Sequence, residues 1–208
     1  MSGQQFVVVV PVKPPAVGKS RLLGLDVEVR RALAEGFAQD TVTACLAAEL
    51  VAQVLVVTDD ARFSVVLGGL GADTMPDGVS DDLNGALRLA AAEAHRRWPH
   101  LVPVALCADL PSLRAEDLDA ALARVVLPHP GFVPDTAGTG TTMYAAAYEE
   151  FNPCFGPGSR DAHLDAGADE LTDVPASVRL DVDDLDDLRA AAALGLGPRT
   201  AAVVPDNG

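Results

Sequence analysis

Apolar residues fall into two rhythms along this chain, and the change from one to the other marks its elements. Phe6 is followed by four consecutive valines. β-Branched residues at every position, not every second one, predict a strand buried on both faces, as in a parallel sheet. Beyond Pro11 and a loop the rhythm turns helical. Val29, Leu33, Phe37, Val42 and Leu46 recur with Arg30, Arg31, Glu35 and Asp40 between them, which predicts a helix over 27–50. The alternation then repeats: a strand over 54–57, a helix over 61–67 capped by Thr58-Asp59-Asp60, and a short strand over 72–75. A helix follows from Ser80-Asp81-Asp82-Leu83-Asn84 to Trp98, with Asp81 or Asp82 as N-cap, then a strand over 102–106 and a helix over 115–125. Strand-helix repetition of this kind argues for a doubly wound parallel sheet.

The second half is less regular. Short strands are predicted at 131–134 and 143–147, separated by the small-residue loop Asp135-Thr136-Ala137-Gly138-Thr139-Gly140-Thr141-Thr142. A second glycine loop, Phe155-Gly156-Pro157-Gly158-Ser159-Arg160, places Ser159 to N-cap a short helix through Ala166. A last strand is predicted at 178–180, and Asp181-Val182-Asp183-Asp184 leads into a helix over 185–194. The tail from Gly195, with two prolines, is expected to be loosely held. No repeat or linker divides the chain, and 208 residues suit one domain with a sizeable core.

Composition narrows the function classes. Aromatics are only 4%, so the core must be built from Val, Leu and Ala. With 15 basic residues against 30 acidic, the net charge of −15 repels nucleic acid and anionic membranes, and a general role on either is excluded. A small anionic substrate still fits if local cations or a bound divalent metal reverse the sign at the site. Cys45, Cys107 and Cys154 are far apart and form no C-x-x-C pair, so they indicate neither a zinc site nor a disulfide framework. They are expected to be buried small hydrophobes in a reducing cytosol. No secretory leader pattern and no membrane-spanning apolar run is present, so a cytoplasmic location is expected.

Against that acidic background, Lys13, Lys19 and Arg21 put three cations into nine residues directly after the first strand. The end of a central strand is where α/β sheets bind phosphate-bearing ligands, and a nucleoside triphosphate would account for the cations. Gly18-Lys19-Ser20 is the tail of a Walker A signature. That signature wants glycine where this chain has Lys13, and two prolines follow. Prolines lack the N–H groups that cradle a phosphate, so a P-loop is disfavoured.

Two further features lie just past predicted strands: Asp109 after 102–106, and Asp181, with Asp183 and Asp184, after 178–180. Two carboxylates on different strand ends suit a magnesium ion whose other ligands are nucleotide phosphates. Capping is the competing reading of Asp109, and helix-dipole preference that of Asp183 and Asp184. Thr139, Thr141 and Thr142 with Gly138 and Gly140, and Gly156 and Gly158 with Ser159, suit a small anion. His95, His100, His129 and His163 join no constellation, and only His163 lies near a glycine loop.

These features appear together as V-P-V-K-P…G-K-S-R-L near the amino terminus, S-D-D-L-N-G-A-L at 80–87 and A-D-L-P-S-L at 108–113. P-D-x-x-G-T-G-T-T at 134–142, F-G-P-G-S at 155–159 and L-D-V-D-D-L-D-D-L at 180–188 complete the series. In this order, and over nearly the whole chain to about Leu194, the motifs resemble the guanylyltransferases of deazaflavin coenzyme (F-420) biosynthesis, which act on 2-phospholactate or phosphoenolpyruvate. The resemblance implies an α/β, single-domain nucleotidyltransferase fold of the glycosyltransferase-A type, with a mostly parallel, mixed central sheet flanked by helices. It implies GTP as co-substrate and Mg²⁺, with two ions expected. Carried over, Asp109 and Asp181 would bind metal, and Lys19, Arg21 and Asp109 would be catalytic. Lys13 would join Lys19 and Arg21 on the GTP phosphates, and Asp82 and Asn84 would lie near the nucleoside. Thr141, Gly156 and Ser159 would hold the acceptor's carboxylate and phosphate. The Ala/Val/Arg/Asp-rich composition is similar to the actinobacterial branch, where phosphoenolpyruvate is the expected acceptor. The implied partners are these small molecules, with a functional hand-off to the next enzyme of the pathway. An ionised phosphomonoester needs no protein nucleophile or strong base, only neutralisation and alignment, which matches the lack of a Ser/His/Asp or Cys/His constellation. The alternatives are a nucleotidyltransferase of the same fold acting on a sugar phosphate or molybdopterin, a P-loop kinase or GTPase, and a non-catalytic nucleotide-binding regulator.

Overall fold

The valine run is an interior strand of a sheet that has seven strands among the described residues. The computed structural model describes residues 4–13, 22, 24–79 and 82–204. Strand β1 (Phe6–Pro11) pairs in parallel with β2 (Val51–Val57) on one side and with β4 (Val102–Leu106) on the other. β3 (Asp73–Met75) extends the sheet in parallel beyond β2. On the far side β6 (Thr141–Ala145) runs antiparallel to both β4 and β5 (Gly131–Pro134), and β7 (Asp169–Glu170) pairs in parallel with β5. The order is therefore β3-β2-β1-β4-β6-β5-β7, a mostly parallel mixed sheet.

The four valines of β1 are each at most 1% exposed, and the pleat sends them alternately to the two faces. Val8 and Val10 join Val54, Val56, Val104 and Leu106 against α1 (Val27–Ala47), α2 (Ala61–Gly69) and α4 (Ala115–Leu122). Val7 and Val9 join Leu55, Val57 and Ala105 against the alanine-rich face of α3 (Leu83–Arg97), where Ala86, Ala90 and Ala94 recur every fourth residue. Two-faced burial is thus the reason the run is apolar throughout, and each valine contributes about 2 kcal/mol. A third apolar cluster joins Leu33 and Phe37 of α1 to Leu180, Val182 and the inner face of α7 (Leu185–Leu194).

Several boundaries and elements differ from the sequence reading. Helix α1 stops at Ala47 and β2 begins at Val51. The Asp119 carboxylate accepts the N–H groups of Glu49 (2.9 Å) and Leu50 (2.8 Å), and Phe6 N–H bonds to the Leu50 carbonyl (3.0 Å), so pairing with β1 claims the segment. Asp60 caps α2 as expected, through Arg62 and Phe63 N–H. Ser159 opens α5 (Ser159–Asp165) but does not cap it; the cap is Gly158, in left-handed conformation. The predicted strand at 178–180 is instead a turn of helix, α6 (Ala176–Arg179), because its carbonyls are taken by side chains and turns. Thr142 Oγ1 donates to Val178 O (2.7 Å), and Arg179 O accepts from Thr136 N–H (3.0 Å). The two-residue β7 occupies the sheet edge in its place. The tail expected to be loose forms α8 (Pro198–Ala201) within the described residues. The buried Asp40 carboxylate caps it from α1, accepting N–H from Arg199 (3.1 Å) and Thr200 (2.7 Å). Cys45 is fully buried, and that burial pushes its thiol up to about 12, but Cys107 and Cys154 are partly exposed.

Candidate active site

The strand directions bring the candidate residues to one edge of the sheet. β1, β2 and β4 run together, β6 runs against them, and β5 runs against β6. The carboxyl ends of β1, β2, β4 and β5 and the amino end of β6 therefore share an edge. Lys13 follows β1 there, Asp109 follows β4, Asp135 follows β5, and Thr141 opens β6. β1 and β4 are neighbours at the point where strand order reverses, the position at which open α/β sheets bind ligands. Lys13 is exposed; Lys19 and Arg21, expected to be catalytic, lie outside the described residues.

Asp109 is held from two sides. On one, the buried Thr41 of α1 donates its hydroxyl to Ala108 O (3.2 Å) and accepts Leu110 N–H (3.1 Å), bracketing the aspartate. On the other, Asp109 O accepts Val182 N–H (3.0 Å). That bond sets Asp181 and Asp183 beside it, and one carboxylate oxygen from each of Asp109, Asp181 and Asp183 lies within 4.8 Å of the others. Asp184 turns away: with Asp187 it makes a capping box at the start of α7, while Asp187 also accepts Asp183 N–H (3.0 Å). The cluster is strained electrostatically. Burial above all, then repulsion from Asp109 and Asp183, pushes the Asp181 carboxyl up to about 7. A hard divalent cation would relieve that repulsion, and an all-oxygen donor set without Cys or His suits one.

The two small-residue loops meet beside this cluster. Cys107 N–H bonds to Thr142 O (2.8 Å) and Cys107 Sγ to Thr141 O (3.5 Å), which ties the start of β6 to the end of β4. Asp135 folds its own loop by accepting Thr139 and Gly140 N–H (3.0 and 2.8 Å), and Arg160 N–H bonds to Thr139 O (3.2 Å), joining that loop to α5. Gly156 (φ 137°) and Gly158 (φ 70°) hold backbone conformations that side chains disfavour, which explains two glycines in three residues. Asn84 closes the arrangement: its amide donates to Phe155 O (2.9 Å) and accepts Phe155 N–H (2.8 Å). Asp82, the neighbouring candidate, is the N-cap of α3 and accepts Gly85 N–H (2.8 Å).

No protein-family model matches the chain. Over 206 residues it is 50% identical to the phosphoenolpyruvate guanylyltransferase of Streptomyces scabiei, covering 95% of each chain. Over 202 residues it is 48% identical to the enzyme of the same name from Streptomyces coelicolor, covering 96% of this chain and 95% of that one. The chain belongs to the phosphoenolpyruvate guanylyltransferase family. Among solved structures, a candidate nucleotide-diphospho-sugar transferase of Desulfovibrio desulfuricans G20 superposes with a TM-score of 0.71 at 17% identity, covering 96% of this chain and 94% of that one. A Mycobacterium tuberculosis protein solved with manganese superposes with a TM-score of 0.57 at 22% identity, covering 90% and 98%. The fold is that of the nucleotidyltransferases, as the resemblance implied.

The sequence alone leaves open which of Asp181, Asp183 and Asp184 joins the cluster; the structure brings Asp181 and Asp183 to Asp109 and engages Asp184 in capping. Two residues that brace this region were missed in the sequence. Thr41 sits among apolar positions of a helix and signals nothing by itself. His163 was set aside as an isolated histidine. It is 0% exposed and bridges Thr141, at the start of β6, and Cys154, just before the second glycine loop.

Proposed function

We propose that this chain transfers GMP from GTP to the phosphate of phosphoenolpyruvate, releasing pyrophosphate, in the cytoplasm. The observation that carries the reading is the Asp109–Asp181–Asp183 cluster at the sheet edge shared with Lys13 and Thr141, in a chain belonging to this family. An acceptor phosphate oxygen attacks the α-phosphorus of GTP. A new P–O bond forms, the bond from the α-phosphorus to the oxygen bridging it to the β-phosphorus breaks, and pyrophosphate leaves with those electrons. The attacking oxygen is already ionised, so no side chain has to remove a proton.

What the chain must do is bring two anions together. Asp109, Asp181 and Asp183 would hold Mg²⁺, two ions in the full assembly. When bound, the metal neutralises phosphate charge and helps to align the reacting groups. Lys13 would meet the triphosphate, and the same role is assigned to Lys19 and Arg21 from their place in the sequence. Thr141, Gly156 and Ser159 hold the acceptor, while Asp82 and Asn84 shape the nucleoside side through the start of α3. Because the product joins two phosphomonoesters through an anhydride bond, hand-off to the enzyme that consumes it belongs to the same proposal. Among the described residues no helix is long and apolar enough to cross a membrane.

Incubation with GTP, Mg²⁺ and either phosphoenolpyruvate or 2-phospholactate tests the reading. Pyrophosphate release that depends on phosphoenolpyruvate, with a guanylylated product identified by mass, is expected. GDP as product, or no acceptor dependence, would contradict it.

A further inference from the structure

We propose that His163 is a positioning residue that fixes the Thr141 hydroxyl as a hydrogen-bond donor aimed at the acceptor anion. This rests on the reading that Thr141 holds the acceptor. His163 lies on α5, and its imidazole is enclosed by the rings of Phe132 (centroids 5.2 Å apart), Tyr144 (4.8 Å) and Phe155 (5.7 Å, edge-on). Its Nε2 is 2.9 Å from Cys154 N. A peptide N–H can only donate, so Nε2 must be the unprotonated acceptor. The apolar enclosure disfavours the imidazolium, and burial pulls the group down to about 4 against a smaller opposing effect of a backbone hydrogen bond with Ser159. At neutral pH the ring therefore carries a single proton, on Nδ1.

Nδ1 is 3.0 Å from Thr141 Oγ1. With the proton on Nδ1, which the Ser159 backbone also attracts, Nδ1 cannot accept from Thr141, so the threonine oxygen faces a donor and its own O–H must point elsewhere. A hydroxyl held in that sense offers a donor to an incoming carboxylate or phosphate. The opposite tautomer would let Thr141 spend its proton on Nδ1 and present lone pairs, which repel an anion. The ring also spans two segments, since Thr141 opens β6 and Cys154 immediately precedes the Phe155–Ser159 loop. One buried side chain thus sets both the polarity and the spacing of the acceptor side. An ordinary core histidine would share the burial but would have no reason to govern a single substrate.

Two measurements on the full chain test this. In histidine ¹⁵N-labelled protein, long-range ¹H–¹⁵N spectra should show one neutral histidine protonated on Nδ1 from pH 8 to pH 5.5, with Nδ1 shifted by Thr141→Val. In steady-state kinetics, His163→Leu should raise KM for phosphoenolpyruvate about tenfold, the scale of one hydrogen bond to a charged group, with KM for GTP unchanged. His163→Asn, which can return an N–H near the Nδ1 position, should recover part of that loss, and Thr141→Val with His163→Leu should be no worse than Thr141→Val alone. A neutral ring protonated on Nε2, or an imidazolium at pH 7, overturns the proposal whether or not the variants fold. Equal effects on both substrates also overturn it. Failure of the wild-type protein to guanylylate either phospho-acid would overturn the proposed function instead, and the substrate-free spectra keep the two failures apart.

Discussion

The two halves of this sheet reach the same edge by different means. From β1 to β4 the main chain does the positioning: parallel strands buried on both faces end in register, and Lys13 and Asp109 follow because the strands stop there. From β5 onward the elements shrink to two residues in β7 and four in α6. There side chains do the positioning, across wide sequence gaps. Thr142 bonds to Val178 O, Arg179 to Pro134 O (3.2 Å) and Asp135 O (3.0 Å), Asn84 to Phe155, and His163 to both Thr141 and Cys154. The acidic cluster joins the two halves: Asp109 follows β4, and the main-chain bond from Val182 to Asp109 sets Asp181 and Asp183 beside it.

Breaking the meeting point should have the largest effect. Asp109→Asn is expected to lower turnover on the order of a thousandfold while circular dichroism and thermal midpoint stay near wild type. Near-normal product formation would remove Asp109 from the metal site. Next comes Thr41→Val, which keeps the side-chain volume and strands the buried Leu110 N–H and the partly buried Ala108 carbonyl on either side of Asp109. It should cost about 1–3 kcal/mol in denaturant unfolding and lower kcat with it, and loss of stability at unchanged kcat would make Thr41 a core residue only.

In the braced half, Asn84→Ala should raise KM for GTP about tenfold through the start of α3, with a smaller rise in KM for phosphoenolpyruvate from the release of Phe155. The reverse pattern would move Asn84 from the nucleoside side to the acceptor side. The smallest effect expected is on pH dependence. His163 stays neutral when folded down to about pH 4, whereas in the unfolded chain it protonates near 6.5. The unfolded state therefore binds more protons between those values, and stability is lost as pH falls through that window. His163→Leu should flatten this part of the stability–pH curve, and an unchanged slope would show that other groups carry it.

The first half was largely legible because its physics is periodic. An all-valine strand, a helical recurrence of Val29, Leu33 and Phe37, and an acidic residue just past a buried strand are local patterns, and each found its place. The second half was legible only in its motifs. Val178-Arg179-Leu180 has the composition of a strand, but Thr136 and Thr142 take its carbonyls, a fact held by residues some 36 to 43 positions away. The tail followed the same rule, because its helix depends on Asp40, more than 150 residues earlier. Asp181 reached the cluster without the strand expected to deliver it, through the main-chain bond from Val182 to Asp109. His163 and Thr41 carry no local signature, since each matters only through partners that folding brings to it.

The neighbouring acids Asp183 and Asp184 give the most direct test of the metal cluster. Both open α7 and neither differs from the other in charge, but only Asp183 shares the cluster with Asp109 and Asp181, and Asp184 is spent on capping. The measurement is pyrophosphate release from GTP and phosphoenolpyruvate as a function of Mg²⁺ concentration in wild type, Asp183→Asn and Asp184→Asn. Asp183→Asn should need about ten times more Mg²⁺ for half-maximal rate, and Asp184→Asn, whose amide oxygen can still cap α7, should follow the wild-type curve with its thermal midpoint little changed. Coincident curves for wild type and Asp183→Asn, or the larger shift in Asp184→Asn, would contradict the cluster as the metal site.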